Sequence, residues 1–254
     1  MTKSEFVLPI VSVRSLFDDG IELWKSVGKA AGGIVLRGAS GSPTHERILA
    51  FGRLVGEVGK PAVDVAKTSH EFVHDVTPLS EGLRDKRGVL VKSTTFEDIA
   101  LHTAGYNAEH PPRQVLLQVA VPGTGGVTLV ALVNEIAASL RPSSVKLLGE
   151  PVYPITIGMT RLLWWEHKWY MRFNYYEIET HIRHGQNRDL IQPGHVEALS
   201  ELLEVLDYQV SLSRNRVQLQ RGDVLILDNC ATLYGRLALA PHDRKRLYHR
   251  VWCY

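Results

Sequence analysis

The sequence predicts a β-rich α+β domain, a sandwich or jelly roll with flanking helices. Three observations predict this class. Many short apolar runs in the second half are bounded by turn residues and have the length of strands. Amphipathic helical repeats are few, and they lie singly between the groups of strands. The regular alternation of strand and helix that a doubly wound parallel sheet requires is missing from the C-terminal half.

Length, charge and cysteine count narrow the class further. The chain has 254 residues, 44% of them hydrophobic, and no repeat or linker divides it, so we expect one domain over residues 1–254. A formal charge of +2 argues against a nucleic-acid partner, and no segment is long and apolar enough to suggest a membrane partner. With Cys230 and Cys253 as the only cysteines, a disulfide framework is excluded, which suits a reducing, cytoplasmic compartment.

The N-terminal half contains two predicted helices. Apolar residues follow a helical repeat within residues 21–33, and a buried strand at 34–36 comes next. Thr44 is suited to cap a second helix, whose apolar positions recur at three- and four-residue spacing over residues 44–59. The polar, turn-rich segment 77–98 is predicted to be a surface loop.

The second half is mostly strands. In order, it predicts a strand at 115–121, a short helix at 131–140, several strands within 152–176 and an amphipathic helix around 199–206. The strands at 217–219 and 224–227 flank the turn at 220–223, which predicts a hairpin.

Three motifs occur in a recognisable order. They are Leu101-His102-Thr103-Ala104-Gly105-Tyr106, then Gly125-Gly126-Val127-Thr128, then Leu233-Tyr234-Gly235-Arg236 followed by Arg246-x-x-x-Arg250. Their order and spacing resemble the taurine dioxygenase and clavaminate synthase branch of the iron(II)/2-oxoglutarate oxygenases, over nearly the whole chain. The resemblance implies a double-stranded β-helix in which a His-x-Asp/Glu pair and a distant second histidine hold the iron.

The sequence departs from that pattern at the metal ligands. His102 occupies the first ligand position, Ala104 stands where the carboxylate is expected, and Tyr234 replaces the second histidine. A tyrosine binds Fe(II) poorly, because its phenol must first lose a proton with a reference pKa near 10. Three other histidines remain open as substitute ligands: His110, His167 and His181.

The positions for the cosubstrate are better kept. Thr128 and Arg246 match the family positions that bind the distal carboxylate of 2-oxoglutarate, and Arg250 is placed to assist. A guanidinium suits a carboxylate because it can form two parallel hydrogen bonds to it. The alternative is a structural ion pair between Arg246 and Asp223 or Asp228.

A dense aromatic stretch indicates a second candidate binding region. Trp164 and Trp169 lie in it, close to Arg161 and Arg172, in a chain that is 8% aromatic. Exposed aromatic and arginine side chains favour a flat or peptide-like ligand. Core packing is the alternative, because one face of each strand in a sandwich is buried.

The favoured interpretation is an oxygenase fold without a standard iron site and without a cofactor. Such a protein would bind a small-molecule or peptide intermediate of a specialised-metabolite pathway. It would present the intermediate to a partner biosynthetic enzyme, or catalyse a non-oxidative step with His102 or Tyr234 as acid or base. The alternative is an active iron(II)/2-oxoglutarate-dependent oxygenase or halogenase with unorthodox metal ligands.

Overall fold

Two β-sheets face each other, and helices cover the outer face of each. The computed structural model describes residues 7–38, 41–60, 70–84, 90–184, 190–241 and 243–254. The predicted β-rich α+β architecture, a jelly roll with flanking helices, is confirmed.

The larger sheet has seven described strands. Their order is β1 (Ile10–Ser12), β2 (Gly33–Arg37), β15 (Val224–Asp228), β8 (Gln114–Val121), β17 (Leu247–Cys253) and β3 (Val58–Gly59), with β4 (His74–Val76) also paired to β17. The pairing of β1 with β2 is parallel, and the other pairings in this sheet are antiparallel.

The smaller sheet has four strands, all antiparallel to their neighbours. Their order is β14 (Arg216–Val217), β9 (Thr128–Leu132), β16 (Thr232–Arg236) and β7 (Ile99–His102). Three separate hairpins are β5 (Leu83–Arg84) with β6 (Leu90–Val91), β10 (Tyr153–Ile155) with β11 (Gly158–Thr160), and β12 (Leu163–Trp165) with β13 (Trp169–Met171).

The helices fall into two groups. Those that pack on the larger sheet are α1 (Asp19–Leu23), the π-helical turn Trp24–Gly28, α2 (Lys29–Ala31) and α3 (His45–Val55). Those on the smaller sheet are α4 (Val133–Ser139), α5 (Pro142–Leu148), α6 (Tyr175–His184) and α7 (Pro193–Ser211). None of the helices among the described residues has both the length and the apolar character needed to cross a bilayer.

Side chains alternate between the two faces of each strand, as the two-residue period of a strand requires. In β17, Tyr248 and Trp252 point between the sheets, whereas Val251 and Cys253 point outward against α3. The interior between the sheets and the outer face of the larger sheet are therefore separate environments, each reached by alternate residues of one strand.

Several predicted elements differ from the observed ones. Residues 217 and 224–227 do not form a hairpin, because β14 pairs with β9 in the smaller sheet and β15 pairs with β2 and β8 in the larger one. The helix expected at 131–140 begins at Val133, since the two preceding residues complete β9. Pro142 begins α5 instead of only ending a helix, which is consistent with the fixed φ of proline at a first helical position.

Two elements of the first half also differ from their predicted form. The second helix is capped by Thr44, as predicted, but it ends at Val55. The expected surface loop at 77–98 contains the β5–β6 hairpin and a 3-10 turn at Lys92–Thr94, and residues 85–89 of that prediction lie outside the described residues.

Candidate functional site

A cavity of about 420 Å³ opens between the two sheets, beneath α6. Its walls come from β7 and β16 of the smaller sheet and from β17 of the larger one. The lining residues that matter below are His102, Tyr106, Glu177, His181, Tyr234, Arg236, Arg246 and Arg250. The segments that form this cavity are far apart in the chain, and the fold brings them together.

His102 and Tyr234 lie side by side in the cavity wall. They are register partners on β7 and β16, and their ring centroids are 4.7 Å apart. Ala104 follows on the same wall and contributes only its methyl group. The three positions that the sequence aligns with the iron ligands therefore share one site.

The imidazole of His102 is held neutral. Burial lowers its pKa to about 4, and the positive charge of Arg250 acts in the same direction. Nδ1 donates to the Ala100 carbonyl oxygen at 2.9 Å, so the neutral ring carries its lone pair on Nε2. Burial also raises the pKa of the Tyr234 phenol, although the charge of Arg250 opposes this shift. At neutral pH the pair is an imidazole base beside a protonated phenol.

Asn229 fixes the backbone that follows His102. Its Oδ1 accepts from the Ala104 amide at 2.8 Å, and its Nδ2 donates to the carbonyl oxygens of Ala104 and Pro112. The side chain is fully buried. A buried amide with all these partners holds the turn after β7 in one conformation.

Three guanidinium groups line the cavity. Arg236, Arg246 and Arg250 are each less than 9% exposed. Burial lowers the pKa of Arg236 to about 10, and the neighbouring charge of Arg246 lowers it further. Glu177 is the one acidic side chain among the described lining residues. The electrostatic field near these three groups therefore favours an anion.

Two of these guanidinium groups have unpaired donors. Nε and Nη1 of Arg246 and Nε of Arg250 are buried without a hydrogen-bond partner among the described residues. The structural alternative for Arg246 does not occur, because Asp223 pairs with Arg37 at 2.9 Å and Asp228 pairs with Lys168 at 2.7 Å. Arg246 instead stacks on the ring of Tyr248, with its Cζ 3.7 Å from the ring centroid.

Thr128 is not among the residues that line the cavity. It is buried on β9, where it is the register partner of Arg236 on β16. Its predicted contact with a cosubstrate therefore stays a prediction.

A carboxylate lies in the wall that α6 provides. The side chain of Glu177 is 9% exposed, and its Oε1 accepts from the Thr156 amide at 2.8 Å and from His181 Nε2 at 3.3 Å. The hydroxyl of Tyr106 donates to Oε2 at 3.3 Å. These contacts hold the negative charge at a fixed place beside the cavity.

The predicted aromatic binding region lies outside this cavity. Trp164 stacks on Tyr170 in the β12–β13 hairpin, and Trp169 packs partly against the core under the smaller sheet. Arg161 is exposed. Arg172 donates to the carbonyl oxygens of Tyr106 and Ala108, so it supports the cavity wall from behind.

Of the three histidines considered as substitute ligands, one reaches the cavity. His110 and His167 are exposed, and His167 pairs with Tyr170. His181 lines the cavity beside Glu177.

A second group of titratable side chains lies on the outer face of the larger sheet. Asp75 Oδ1 is 2.7 Å from His45 Nε2 and 2.8 Å from His249 Nδ1. One ligand atom from each of the three residues lies within 4.8 Å of the others. Two imidazoles and one carboxylate form the donor set of many non-haem iron(II) sites. We call this group the outer triad.

Sequence reasoning missed the outer triad, Glu177 and Arg236. The members of the outer triad are separated by 30 and 174 residues, so no local spacing could have indicated them. Glu177 and His181 do have a signal, the i,i+4 spacing that places two side chains on one face of a helix.

The chain is similar to known proteins in family and in fold. The family model for taurine catabolism dioxygenase TauD, TfdA family, matches residues 5–252. No curated protein sequence matches the chain. A structure of asparagine oxygenase with Fe(II), hydroxyasparagine and succinate has a TM-score of 0.70 and 18% identity, covering 94% of this chain and 78% of that one. The non-haem iron oxygenase OrfP with Fe and alpha-ketoglutaric acid has a TM-score of 0.67 and 20% identity, covering 92% and 78%.

These findings correct two predictions. The expectation of a chain without a metal or cofactor is wrong, because the outer triad supplies a ferrous donor set and the similar structures hold iron with 2-oxoglutarate or succinate. The prediction of a non-oxidative binding protein is also wrong, since those structures are oxygenases, one of them in complex with hydroxyasparagine. The resemblance seen in the sequence is confirmed, and this chain belongs to the TauD/TfdA family of taurine catabolism dioxygenases.

Proposed function

We propose that this chain is an iron(II)- and 2-oxoglutarate-dependent oxygenase that acts on a small polar amino acid. The observation that carries the proposal is the set of buried guanidinium donors in the cavity that find no partner among the described residues. An unpaired buried cation is costly, and a ligand carboxylate would remove that cost.

A dicarboxylate cosubstrate would balance the positive charge of the arginines in the cavity. Arg246 offers Nε and Nη1 on the same guanidinium, which suits two parallel hydrogen bonds to one carboxylate. The stack on Tyr248 holds the plane of that guanidinium in place. OrfP, a structure of the same fold, contains alpha-ketoglutaric acid, which supports 2-oxoglutarate as the dicarboxylate.

The described residues offer a ferrous ion two kinds of site. The outer triad has the complete set of two imidazoles and one carboxylate. His102 lies in the same cavity as the arginines and offers one lone pair, at Nε2. At the other two aligned positions, Ala104 offers no donor and Tyr234 keeps its proton. Bound ferrous ion supplies the redox chemistry by which oxygen converts 2-oxoglutarate to succinate. An ion in the cavity would be held through Nε2 of His102, the donor that the three aligned positions offer there.

The residues of the chain prepare the cavity for this reaction. His102 stays neutral because burial lowers its pKa to about 4, so its lone pair is available across the physiological pH range. Tyr234 remains a phenol and can donate a hydrogen bond to an oxygen atom in the cavity. The position of both rings is set by the β7–β16 pairing, which does not depend on a ligand.

The acidic side chain in the cavity wall suits the substrate. The carboxylate of Glu177 favours the ammonium or another cationic group of an amino acid. Two oxygenases of the same fold have structures with amino-acid products, hydroxyasparagine in asparagine oxygenase and (3S)-hydroxy-L-Arg in OrfP. A cavity lined by arginines and by one carboxylate would bind a cosubstrate and an amino acid through different side chains.

The test is succinate formation by the iron-reconstituted protein. The chain is incubated with Fe(II), oxygen and 2-oxoglutarate, alone and with each of the twenty standard amino acids. We expect succinate above the iron-free control, raised by at least one polar amino acid and lost in Arg246→Met. Arg216→Met, at an exposed position outside the cavity, is the matched control and should retain activity. Absence of both succinate and 2-oxoglutarate binding in the reconstituted protein would refute the proposal.

A further inference from the structure

The outer triad is built on elements that fix its geometry before any ion binds. Asp75 and His249 are direct register partners on β4 and β17, and His45 is the first residue of α3. The ionised carboxylate only accepts hydrogen bonds, so both imidazoles donate to the same oxygen, Asp75 Oδ1. Three side chains from three elements therefore already converge on one point.

The spacing is close to that of a metal coordination shell. Bonds of about 2.1 Å to an octahedral ion place adjacent donor atoms about 3 Å apart. The two nitrogen-to-oxygen distances in the outer triad are 2.7 and 2.8 Å, within a few tenths of an ångström of that spacing, and all three ligand atoms lie within 4.8 Å of one another. A bound cation would replace the two N–H hydrogens that now lie between the imidazoles and the carboxylate.

The outer triad does not open into the oxygenase cavity. His249 lies between Tyr248 and Arg250 on β17, and both of those neighbours line the cavity. Because side chains alternate along a strand, His249 points to the opposite face. That is the face on which Val251 and Cys253 contact α3. The sheet itself separates the two places.

The outer triad is also accessible from outside. The side chains of His45 and Asp75 are 20% and 23% exposed, whereas that of His249 is 7% exposed. An ion held there would have protein donors on one side and solvent on the other. This arrangement leaves coordination positions for water.

We infer that His45, Asp75 and His249 form a second metal site, for a divalent first-row transition ion such as Zn²⁺ or Fe²⁺, separate from the oxygenase cavity. Imidazole and carboxylate donors suit these ions better than Mg²⁺ or Ca²⁺. The ion would tie the start of α3 to β4 and β17. The inference does not rest on the proposed function.

Metal titration of the cofactor-free protein tests the inference. Zn²⁺ binding is measured by calorimetry, and Co²⁺ is used as a spectroscopic probe, both without 2-oxoglutarate. We expect about one ion per chain in the wild type, with affinity reduced at least about 100-fold in Asp75→Asn and in His45→Ala. The absorption of bound Co²⁺ should be lost in the same variants. Asp75→Asn keeps the shape of the side chain, which limits the risk of unfolding.

The matched control is His110→Ala, which removes an exposed imidazole that belongs neither to the cavity nor to the outer triad. It should bind Zn²⁺ as the wild type does, whereas 2-oxoglutarate should stabilise the outer-triad variants against heat as it does the wild type. Retention of the ion by Asp75→Asn and His45→Ala, or its loss from His110→Ala, would overturn the inference. A lack of 2-oxoglutarate binding in every variant would instead count against the proposed function, so the two failures are distinguishable.

Discussion

The replacement Arg246→Met should change cosubstrate affinity and the stability of the unliganded protein in opposite directions. Nε and Nη1 of this guanidinium are buried and have no hydrogen-bond partner in the part of the chain that the structure describes. Each charge-assisted hydrogen bond contributes about 1.5–3 kcal/mol, so losing two weakens 2-oxoglutarate binding by at least about 3 kcal/mol. That corresponds to an increase of more than about 100-fold in Kd.

The unliganded variant should be at least as stable as the wild type. Removing a buried cation whose donors are unpaired relieves a desolvation cost, and methionine can keep the contact with the ring of Tyr248. Both effects can be measured by thermal and urea unfolding with increasing 2-oxoglutarate, because a ligand of the folded state raises its apparent stability. Arg216→Met is the exposed control.

Two results would refute this reasoning. An increase in Kd below about threefold would show that the guanidinium does not bind the cosubstrate. A loss of more than about 2 kcal/mol in the unliganded variant would show that Arg246 has a structural role that the unpaired donors do not reveal.

Three further predictions concern the stability of the two sheets that form the site. Burial lowers the pKa of His74 from 6.5 to about 3, so the unfolded state binds a proton first and the free energy of unfolding falls as pH drops between these values. His74→Leu should reduce that slope by up to about 1.4 kcal/mol per pH unit, measured by urea unfolding at several pH values. Arg37→Ala should cost about 3–5 kcal/mol, because Asp223 is 1% exposed and would lose its ion-pair partner. Gly235→Ala should lower Tm strongly, because an added Cβ would lie 2.3 Å from the Ile99 carbonyl oxygen and force β16 from β7.

The ion-pair prediction and the glycine prediction each have a control variant. Lys25→Ala breaks an exposed pair with Glu22 and should change stability by less than about 0.5 kcal/mol. Gly222→Ala adds a Cβ with no atom within 4 Å, so only its positive φ of 84° opposes the change. An unchanged pH slope in His74→Leu, or equal losses in a variant and its control, would contradict the corresponding argument.

The strands and helices were largely predictable, because their signals are local. The helical spacing after Thr44 and the apolar runs of β8 and β15 depend only on neighbouring residues. The sheet to which a strand belongs depends instead on distant partners. For that reason the expected hairpin at 217–227 was wrong, although both strands exist.

For the site, the sequence determined the family and the positions of His102, Tyr234, Arg246 and Arg250, because these lie in short motifs of fixed spacing. Only the tertiary structure decided that two donors of Arg246 find no partner among the described residues and that Asp75 lies between two imidazoles. The reason is physical: an ion pair or a cluster of donors depends on distances across the fold. The alternation of side chains across β17 then assigns Arg250 to the cavity and His249 to the opposite face.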